Sequence, residues 1–309
     1  MKPKRRSTPA GEHRPVLLRE ALEILDPQPG RIVVDCTLGF AGHSVELLRR
    51  LGPTGLLIGL DTDPENLPRA RERLGEVGHP FELHHANFAG LDRILAGRQV
   101  HAILADLGMS SMQVDNPDRG FSYARDGVLD MRMDRSRGKT LADLLQNIDE
   151  SDLSRALAEL GDEPNAEAIA AAIVQARAQG PIETTRKLSD IIRAAAGASK
   201  KWRLHPSAGK WNLHPAARSF QALRILLNRE LASLTQLLRL IPECLLPSGR
   251  AAVISFHSGE DRLVKRSFQE GFRAGRYSAG SDDCLRAGPE ERLANPRSRS
   301  AKLRWVQKS

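Results

Sequence analysis

Short apolar segments alternate with amphipathic segments along the first third of the chain. The apolar segments are 32–34, 56–60, 81–87 and 100–106, and helical patterns lie before and between them. Strands that alternate with helices through short connections form a parallel sheet covered by helices. The pattern therefore predicts a doubly wound, Rossmann-like α/β sheet with these four segments as its first strands.

The alternation stops at Asp106, and the next strand-like segment, 250–256, comes more than 140 residues later. A crossover between parallel strands needs only about 30 residues. Apolar residues recur at steps of three and four through 217–240, which predicts one long helix that serves as the crossover. The rest of the gap predicts an inserted, all-helical domain. Its helix candidates are 141–146, 153–160, 164–179 and 184–195.

Other parts of the chain lack these periodic patterns. Residues 1–12 are basic and polar, and we predict a disordered tail there. Residues 201–209 are repeated at once in 210–218, which we interpret as a tolerated loop insertion. The polar stretch 271–299 predicts an extended surface loop, and 302–307 predicts a last strand.

These patterns together predict a two-domain organisation. One domain comprises 13–111 and 216–309, and the helical insertion comprises 112–215. A chain of 309 residues is long enough for two domains that each have a core.

The balance of charge favours an acidic partner. Lys and Arg number 46 against 38 Asp and Glu, which gives a formal net charge of +8. Phosphate groups are bound mostly by Lys and Arg, so a nucleic acid is the first partner to consider. Mildly basic enzymes are also common, and net charge does not indicate a fold.

The cysteines and the apolar runs indicate the compartment. Cys36, Cys244 and Cys284 are far apart and form no paired motif, which argues against a disulfide framework and against a zinc knuckle. No apolar run is long enough to span a bilayer, and no apolar segment follows the basic N-terminus as in a signal peptide. We expect a cytoplasmic protein without a membrane span or a disulfide partner.

The segment 31–44, RIVVDCTLGFAGHS, reads as a strand, a tight turn and the start of a helix. Gly39 and Gly42 allow a ligand to approach the backbone closely. Asp61 ends the next strand about 17 residues further on, where an acid commonly binds ribose hydroxyls. An adenosine-containing cofactor is one interpretation of this pattern. An ordinary buried strand and turn is the other, and these residues alone leave both open.

A second candidate site follows the strand that ends at Asp106. Ligands bind at the carboxyl ends of strands in open α/β sheets, and small residues (Gly108, Ser110 and Ser111) follow there. The alternative for Asp106 is a helix cap or a loop-forming residue. Aspartates downstream match no calcium-binding loop, so we predict no metal site. They are Asp115, Asp118, Asp126, Asp130 and Asp134.

Several segments, taken together, closely resemble the ribosomal RNA small subunit methyltransferase H family. They occur in the family's order from residue 13 to residue 304, and the segment 106–134 is specific to that family. They are HRPVLLRE (13–20), DCTLGFAGHS (35–44), GLDTDP (59–64), HANF (85–88), DLGMSSMQVDNPDRGFSYARDGVLDMRMD (106–134), HPAARSFQALRILLN (214–228), VISFHSGEDRLVKR (253–266) and NPRSRSAKLR (295–304).

This resemblance implies a class I methyltransferase sheet with an inserted helical domain and S-adenosylmethionine as cofactor. It also implies N4-methylation of a cytidine near the decoding site of small-subunit (16S) ribosomal RNA. The cofactor contacts that it implies are Ala41, Gly42, His43, Asp61, Phe88, Asp106 and Gln113.

Two further groups of residues are hypotheses beyond the family's cofactor contacts. A hydrogen-bond acceptor is needed beside the target amine, and Asp106, Ser110 and Ser111 are the catalytic candidates. Basic residues that could contact RNA phosphates could equally be solvated or paired within the protein. They are Arg132, His214, Arg218, Arg224, Arg262, Arg297 and Arg299.

Three other functions compete with this one. A small-molecule methyltransferase would use the same fold, and a Rossmann oxidoreductase is disfavoured by the imperfect glycine pattern. An RNA-binding or assembly factor without catalysis is suggested only by Ala41, where the family usually has glycine, and by Gly259, where it usually has leucine.

Overall fold

The computed structural model describes residues 15–196 and 214–309. The predicted tail at 1–12 and residues 201–213 of the duplicated segment lie outside the described residues. The described strands are β1 (Ile32–Asp35), β2 (Leu56–Asp61), β3 (Phe81–His85), β4 (Val100–Asp106), β5 (Leu245–Ser255), β6 (Tyr277–Gly280) and β7 (Lys302–Lys308).

These strands form one sheet in the order β3-β2-β1-β4-β5-β7-β6. The first five strands run parallel, and β7 is antiparallel to both β5 and β6. The predicted doubly wound α/β sheet is confirmed. Because the chain leaves β1 toward β2 on one side and later returns to β4 on the other, the crevice between β1 and β4 is the expected ligand position.

Apolar side chains cover both faces of the sheet, as is usual for parallel strands. The neighbours Val33 and Val34 are fully buried and belong to two different apolar clusters, one on each face. The sheet is therefore buried on both faces, and the loops at its carboxyl edge start from buried strand ends.

The described helices belong to two compact units. One unit ends at Gly108 and resumes at Leu231, and the other is Met109–Glu230, whereas the boundaries predicted from the sequence are 111/112 and 215/216. The helices are α1 (Leu18–Leu25), α2 (Gly42–Leu51), α3 (Leu67–Gly75), α4 (Leu91–Leu95), α5 (Ser111–Asp115), α6 (Leu141–Asn147), α7 (Glu150–Gly161), α8 (Ala166–Ala178), α9 (Thr185–Ala195), α10 (Ala217–Asn228), α11 (Glu230–Cys244), α12 (Ser258–Arg273) and α13 (Pro289–Ala294). None of these helices is both long and apolar enough to span a membrane.

The second unit is helical and has its own apolar core. Leu153, Leu157, Ile169 and Leu223 are fully buried in it. At Gly161 an added Cβ would lie 2.8 Å from the Arg218 carbonyl oxygen, so the absence of a side chain lets α7 end close to α10. The helix candidates at 141–146, 153–160, 164–179 and 184–195 are confirmed.

The single helix predicted over 217–240 is wrong, because the chain breaks at Arg229. This exposed residue has a φ of 53°, so α10 ends at Asn228 and α11 begins at Glu230. The Asn228 amide accepts from the Met133 N–H and donates to the Met131 carbonyl. Apolar periodicity continues across one left-handed residue, and it therefore does not reveal the break.

The surface loop predicted over 271–299 is also wrong. The segment contains β6, α13 and a 3₁₀ turn, Pro296–Arg299. Tyr277 packs edge-to-face against Phe268 and Phe272, with ring centroids 5.9 and 5.8 Å away. Edge strands are short and partly polar, so they lack the apolar run that marks central strands.

Arg229→Gly tests the helix break. Glycine adopts positive φ without the cost of about 1 kcal/mol that other residues incur, so the free energy of unfolding should rise by about 0.5–1 kcal/mol. Arg239→Gly is the matched control, since Arg239 is exposed within α11 and glycine there should cost about 1 kcal/mol. Urea denaturation measures both. Destabilisation of similar size by both substitutions would contradict the break.

Candidate active site at the carboxyl edge of the sheet

The turn after β1 is built on Asp35. This carboxylate is 1% exposed. It accepts from the Thr37 N–H at 3.0 Å and from the Ser44 hydroxyl at 2.6 Å. Asp35 thus ties the strand end to the first turn of α2, which begins at Gly42.

The same turn is fixed from the neighbouring strand by Asp61. Its carboxylate accepts from the Gly39 N–H at 2.7 Å, from the Asp63 N–H at 2.7 Å and from the Asn66 amide at 3.2 Å. Burial raises the pKa of Asp61 to about 6, although these three donors oppose the shift. A carboxylate has about four acceptor positions, so one remains for a ligand hydroxyl.

The turn itself leaves room for a ligand. Gly39 has a φ of +51°, and an added Cβ there would meet no atom within 4 Å. Ala41 also has a positive φ, 59°, and its methyl group is fully buried. A Cβ at Gly42 would lie 3.4 Å from the Pro15 ring. A Cβ at Gly42 would therefore be in ordinary van der Waals contact with Pro15, and the predicted cofactor contacts at 41 and 42 remain predictions.

Two arginines of α3 contact Phe40, which lies between Gly39 and Ala41. Arg73 donates to the Phe40 carbonyl at 2.5 Å, and the Arg69 guanidinium lies 4.8 Å from the centroid of the Phe40 ring. These contacts keep Phe40 in place beside the left-handed Ala41.

Asp106 lies at the end of β4 in the first unit. Its N–H donates to the Thr37 hydroxyl at 2.6 Å, which links it to the turn after β1. Its Oδ1 is buried and has no hydrogen-bond partner among the described residues. Burial, reinforced by the negative charges of Asp35 and Glu260, raises the pKa of Asp106 well above its usual range. No described helix is capped by this side chain, so the helix-cap alternative is not supported, while a loop-forming role stays open.

His43 is buried beside Asp106. Its Nδ1 is 3.6 Å from Asp106 Oδ2, and its Nε2 is 2.9 Å from the Val16 carbonyl oxygen. Burial lowers the pKa of His43, while the charge of Asp35 and the hydrogen bond to Val16 oppose this shift. Its contact with a cofactor stays a prediction.

Glu260 is a site residue that the sequence did not single out. It is 2% exposed, and its carboxylate accepts from the N–H groups of Phe256 and His257 at 2.8 and 3.3 Å. The His257 ring accepts from the Glu260 N–H in return, which completes a capping box at the start of α12. Acidic residues three positions after a cap are a readable sign of a helix start. Its proximity to Asp106 depends on tertiary structure.

Other predicted cofactor and catalytic residues lie elsewhere in the described chain. Phe88 begins a 3₁₀ turn after β3 and packs, half-buried, against the core of the first unit. In the second unit, the Ser110 N–H donates to Gln113 Oε1 at 3.0 Å, and Ser110 Oγ accepts from the Gln113 N–H at 3.3 Å. The Ser111 side chain lies outside what the structure describes. The roles of these residues remain predictions.

Two of the proposed RNA-contacting arginines are held by carboxylates. Arg132 binds both oxygens of Asp130 at 2.8 and 3.0 Å. Arg224 is 8% exposed and binds both oxygens of Glu230 at 2.8 and 3.0 Å. These guanidinium groups serve internal contacts, so the alternative of pairing within the protein describes them best.

The remaining RNA candidates are more accessible. Arg218 donates to the Asp162 carbonyl at 2.8 Å. The His214 ring stacks on Tyr123 with a centroid distance of 4.6 Å. The other candidates, Arg262, Arg297 and Arg299, are exposed.

No group of three or more metal-binding side chains occurs within residues 15–196 and 214–309. Cys36, Cys244 and Cys284 are free thiols.

The residues present at this edge fit an adenosyl cofactor. Space is open at Gly39, Asp61 retains an acceptor position, and the buried Asp106 Oδ1 has no described partner. The arrangement could hold a polar ligand beside a carboxyl group that is able to accept a hydrogen bond.

Known proteins resemble this chain over nearly its whole length. A model of the MraW methylase family matches residues 10–309. The chain is 43% identical over 308 residues to "Ribosomal RNA small subunit methyltransferase H 2" of Alkaliphilus metalliredigens (strain QYMF), covering 98% of this chain and 87% of that protein. It is 44% identical over 320 residues to "Ribosomal RNA small subunit methyltransferase H" of Geobacter sp. (strain M21), covering 96% and 98%.

The raised pKa of Asp61 predicts a pH dependence of stability. Between its ordinary value of 3.8 and about 6, the folded state keeps a proton that the unfolded state releases. The contribution of Asp61 to stability is therefore fully present below pH 3.8, and it is lost as the pH rises through about 6. The difference in free energy of unfolding between wild type and Asp61→Asn should fall by on the order of 3 kcal/mol across this window. Urea denaturation at several pH values measures it, and a constant difference would refute it.

Proposed function

The chain belongs to the MraW methylase family, and on that basis we propose that it is an S-adenosylmethionine-dependent methyltransferase of ribosomal RNA. We infer that it methylates N4 of a specific cytidine near the decoding site of 16S RNA, in the cytoplasm. The relatives of 43% and 44% identity bear the name of ribosomal RNA small subunit methyltransferase H, and the formal charge of +8 suits an RNA substrate. Family membership argues against an oxidoreductase.

One observation supports the proposal most strongly. Thr37 joins the open, left-handed turn to Asp106, because its hydroxyl accepts from the Asp106 N–H. Asp106 Oδ1 has no partner among the described residues. The Asp61 carboxylate also holds this turn, because it accepts a hydrogen bond from the Gly39 N–H. This link supports the proposal, because the proposed cofactor position and the proposed acceptor for a reacting amine both depend on these strand ends.

The chain's own residues would bind and orient the cofactor. The acceptor position left on Asp61 suits a ribose hydroxyl, and the space at Gly39 allows close approach to the backbone. Ala41, Gly42 and Phe88 remain the proposed contacts to the other groups. When bound, the cofactor supplies an electrophilic methyl group on a sulfonium sulfur.

Asp106 is the proposed acceptor for the target amine. The exocyclic amine of cytosine is a poor nucleophile because its lone pair is delocalised into the ring. Oδ1 is buried in the free protein, so the carboxyl group must first turn or be uncovered toward the substrate. A hydrogen bond from the amine to the Asp106 carboxyl would then localise the lone pair and hold the nitrogen in place. Ser110 donates and accepts within its own turn, so its proposed part is limited to shaping the loop.

The RNA base has to be reached in an unpaired or flipped state. Phosphate contacts then position the RNA, and exposed Arg262, Arg297 and Arg299 are the proposed residues of the first unit. Their contribution should be electrostatic and therefore sensitive to salt.

Methyl transfer onto small subunits from cells that lack the gene tests the proposal. The expected result is N4-methylcytidine in digested 16S RNA, detected by mass spectrometry after incubation with the protein and S-adenosylmethionine. Label in small metabolites with none in RNA would support a small-molecule methyltransferase instead. RNA binding without any turnover would support an assembly factor.

Asp106→Asn should reduce single-turnover methylation at least about tenfold, on the order of 1.4 kcal/mol in the barrier. The amide is similar in size but cannot take up a proton. Binding of S-adenosylhomocysteine by calorimetry shows whether the cofactor position survives. Unchanged turnover together with unchanged cofactor affinity would remove Asp106 from the site.

Arg262→Gln should weaken RNA binding and reduce the slope of log affinity against log salt by about 1. Arg266→Gln is the matched control on α12, because its guanidinium is held by Glu270 at 2.8 Å. Titrations of 16S RNA fragments at several salt concentrations measure both. Equal slopes for wild type and Arg262→Gln would exclude a phosphate contact at this position.

A further inference from the structure

We propose that His43 and Asp106 share one proton and that His43 Nδ1 takes up the proton that the substrate amine gives to Asp106. The proposal rests on the proposed function for the identity of the amine. It makes His43 a positioning residue that acts through Asp106, in addition to or instead of a cofactor contact.

The hydrogen bond of His43 to the main chain determines where its own proton lies. A carbonyl oxygen only accepts, so Nε2, at 2.9 Å from the Val16 oxygen, must carry a hydrogen. In the neutral ring Nδ1 then carries no hydrogen and can only accept. This bare nitrogen is 3.6 Å from Asp106 Oδ2. This distance is slightly longer than a hydrogen bond, so a shared proton requires the two atoms to approach by a few tenths of an ångström.

The neighbouring carboxylates already have donors, whereas no described residue donates to Asp106 Oδ1. Asp35 accepts from Thr37 and Ser44, and Glu260 accepts from two main-chain N–H groups. Donors stabilise the ionised form of a carboxylate. Asp106 Oδ1 has no described partner, and Oδ2 has only the His43 ring nearby. Of the three acids, Asp106 is the one that should hold the proton.

The charges around the pair favour the same arrangement. Asp35 faces it from β1, and Glu260 faces it from α12. His257, also at the start of α12, lies 3.2 Å from Glu260. An ionised Asp106 would be buried with two other carboxylates, which raises the cost of its charge. The shared proton therefore belongs on Asp106 Oδ2 and points to His43 Nδ1.

This arrangement allows a balanced proton relay through one carboxyl group. Oδ1 is buried in the free protein, so substrate binding must uncover it before the amine N–H donates to it. As the amine gains its methyl group, its proton moves to Oδ1 and the proton on Oδ2 moves to His43 Nδ1. The amine ends neutral, Asp106 remains a neutral acid, and His43 becomes an imidazolium. Asp35 stabilises that cation, which later loses its proton to water.

The free protein provides the first test and needs neither cofactor nor RNA. NMR of ¹⁵N-labelled histidine should show neutral His43 protonated at Nε2. In wild type, the midpoint of the ring's pH titration should report loss of the shared proton. In Asp106→Asn, where no acid shares a proton with the ring, this midpoint should be lower by at least about one unit. A neutral ring protonated at Nδ1, or the same midpoint in both proteins, would overturn the proposal.

Two variants separate the relay from a structural role. The amide of His43→Gln can keep the hydrogen bond to Val16, and that of His43→Asn can keep a polar contact with Asp106, but neither amide can take up a proton. In both variants single-turnover methylation should be about tenfold slower than wild type at low pH and should approach it at high pH. At high pH Asp106 is ionised and accepts the amine proton directly. Binding of S-adenosylhomocysteine should persist.

Two outcomes of this experiment would overturn the relay. One is wild-type behaviour of His43→Gln at every pH, which would leave His43 with its structural bond alone. The other is equal loss of rate at all pH values together with weakened binding of S-adenosylhomocysteine, which would make His43 a cofactor contact. Wild-type protein that methylates no RNA would refute the proposed function, whereas proton sharing would still be decided by NMR.

Discussion

Buried carboxylates at the carboxyl edge of a parallel sheet need hydrogen-bond donors, and this need shapes the site. Asp35 and Asp61 take their donors from the turn after β1 and thereby hold its left-handed conformation. Glu260 takes its donors from the start of α12. Asp106 alone among these four acids has an oxygen with no donor among the described residues. Three acids therefore organise the backbone, and the fourth, Asp106, keeps a buried oxygen without a described donor.

Two of the positions where the resemblance implies other residues, Ala41 and Gly259, do not disturb this arrangement. Ala41 adopts a φ of 59°, which costs about 1 kcal/mol relative to glycine. Burial of its methyl group stabilises the fold by about 0.8 kcal/mol and offsets most of this cost. Gly259 lies in the first turn of α12, where His257 and Glu260 still form the capping box. Neither departure removes a charged or hydrogen-bonding group, so the case for a factor without catalysis is weak.

Much of the fold could be predicted from the sequence because it depends on local patterns. The runs at 56–60 and 100–106 are strands, and the alanine-rich segment near 164–179 is a helix. The break at Arg229 could not be predicted, since it depends on contacts of Asn228 with a distant loop. The edge strand β6 has too little apolar character to be recognised. Asp61 and Asp106 could be found as polar ends of apolar strands, whereas Glu260 becomes a site residue only through folding.

Calorimetric titration of S-adenosylhomocysteine into the folded protein tests the central claim most directly, namely that the turn held by Asp61 binds the adenosyl cofactor. We predict saturable binding to wild type, at least about tenfold weaker binding to Asp61→Asn, and unchanged binding to Asp92→Asn, whose side chain is exposed on α4. Absence of any binding heat with wild type, or equal affinities for wild type and Asp61→Asn, would contradict the account.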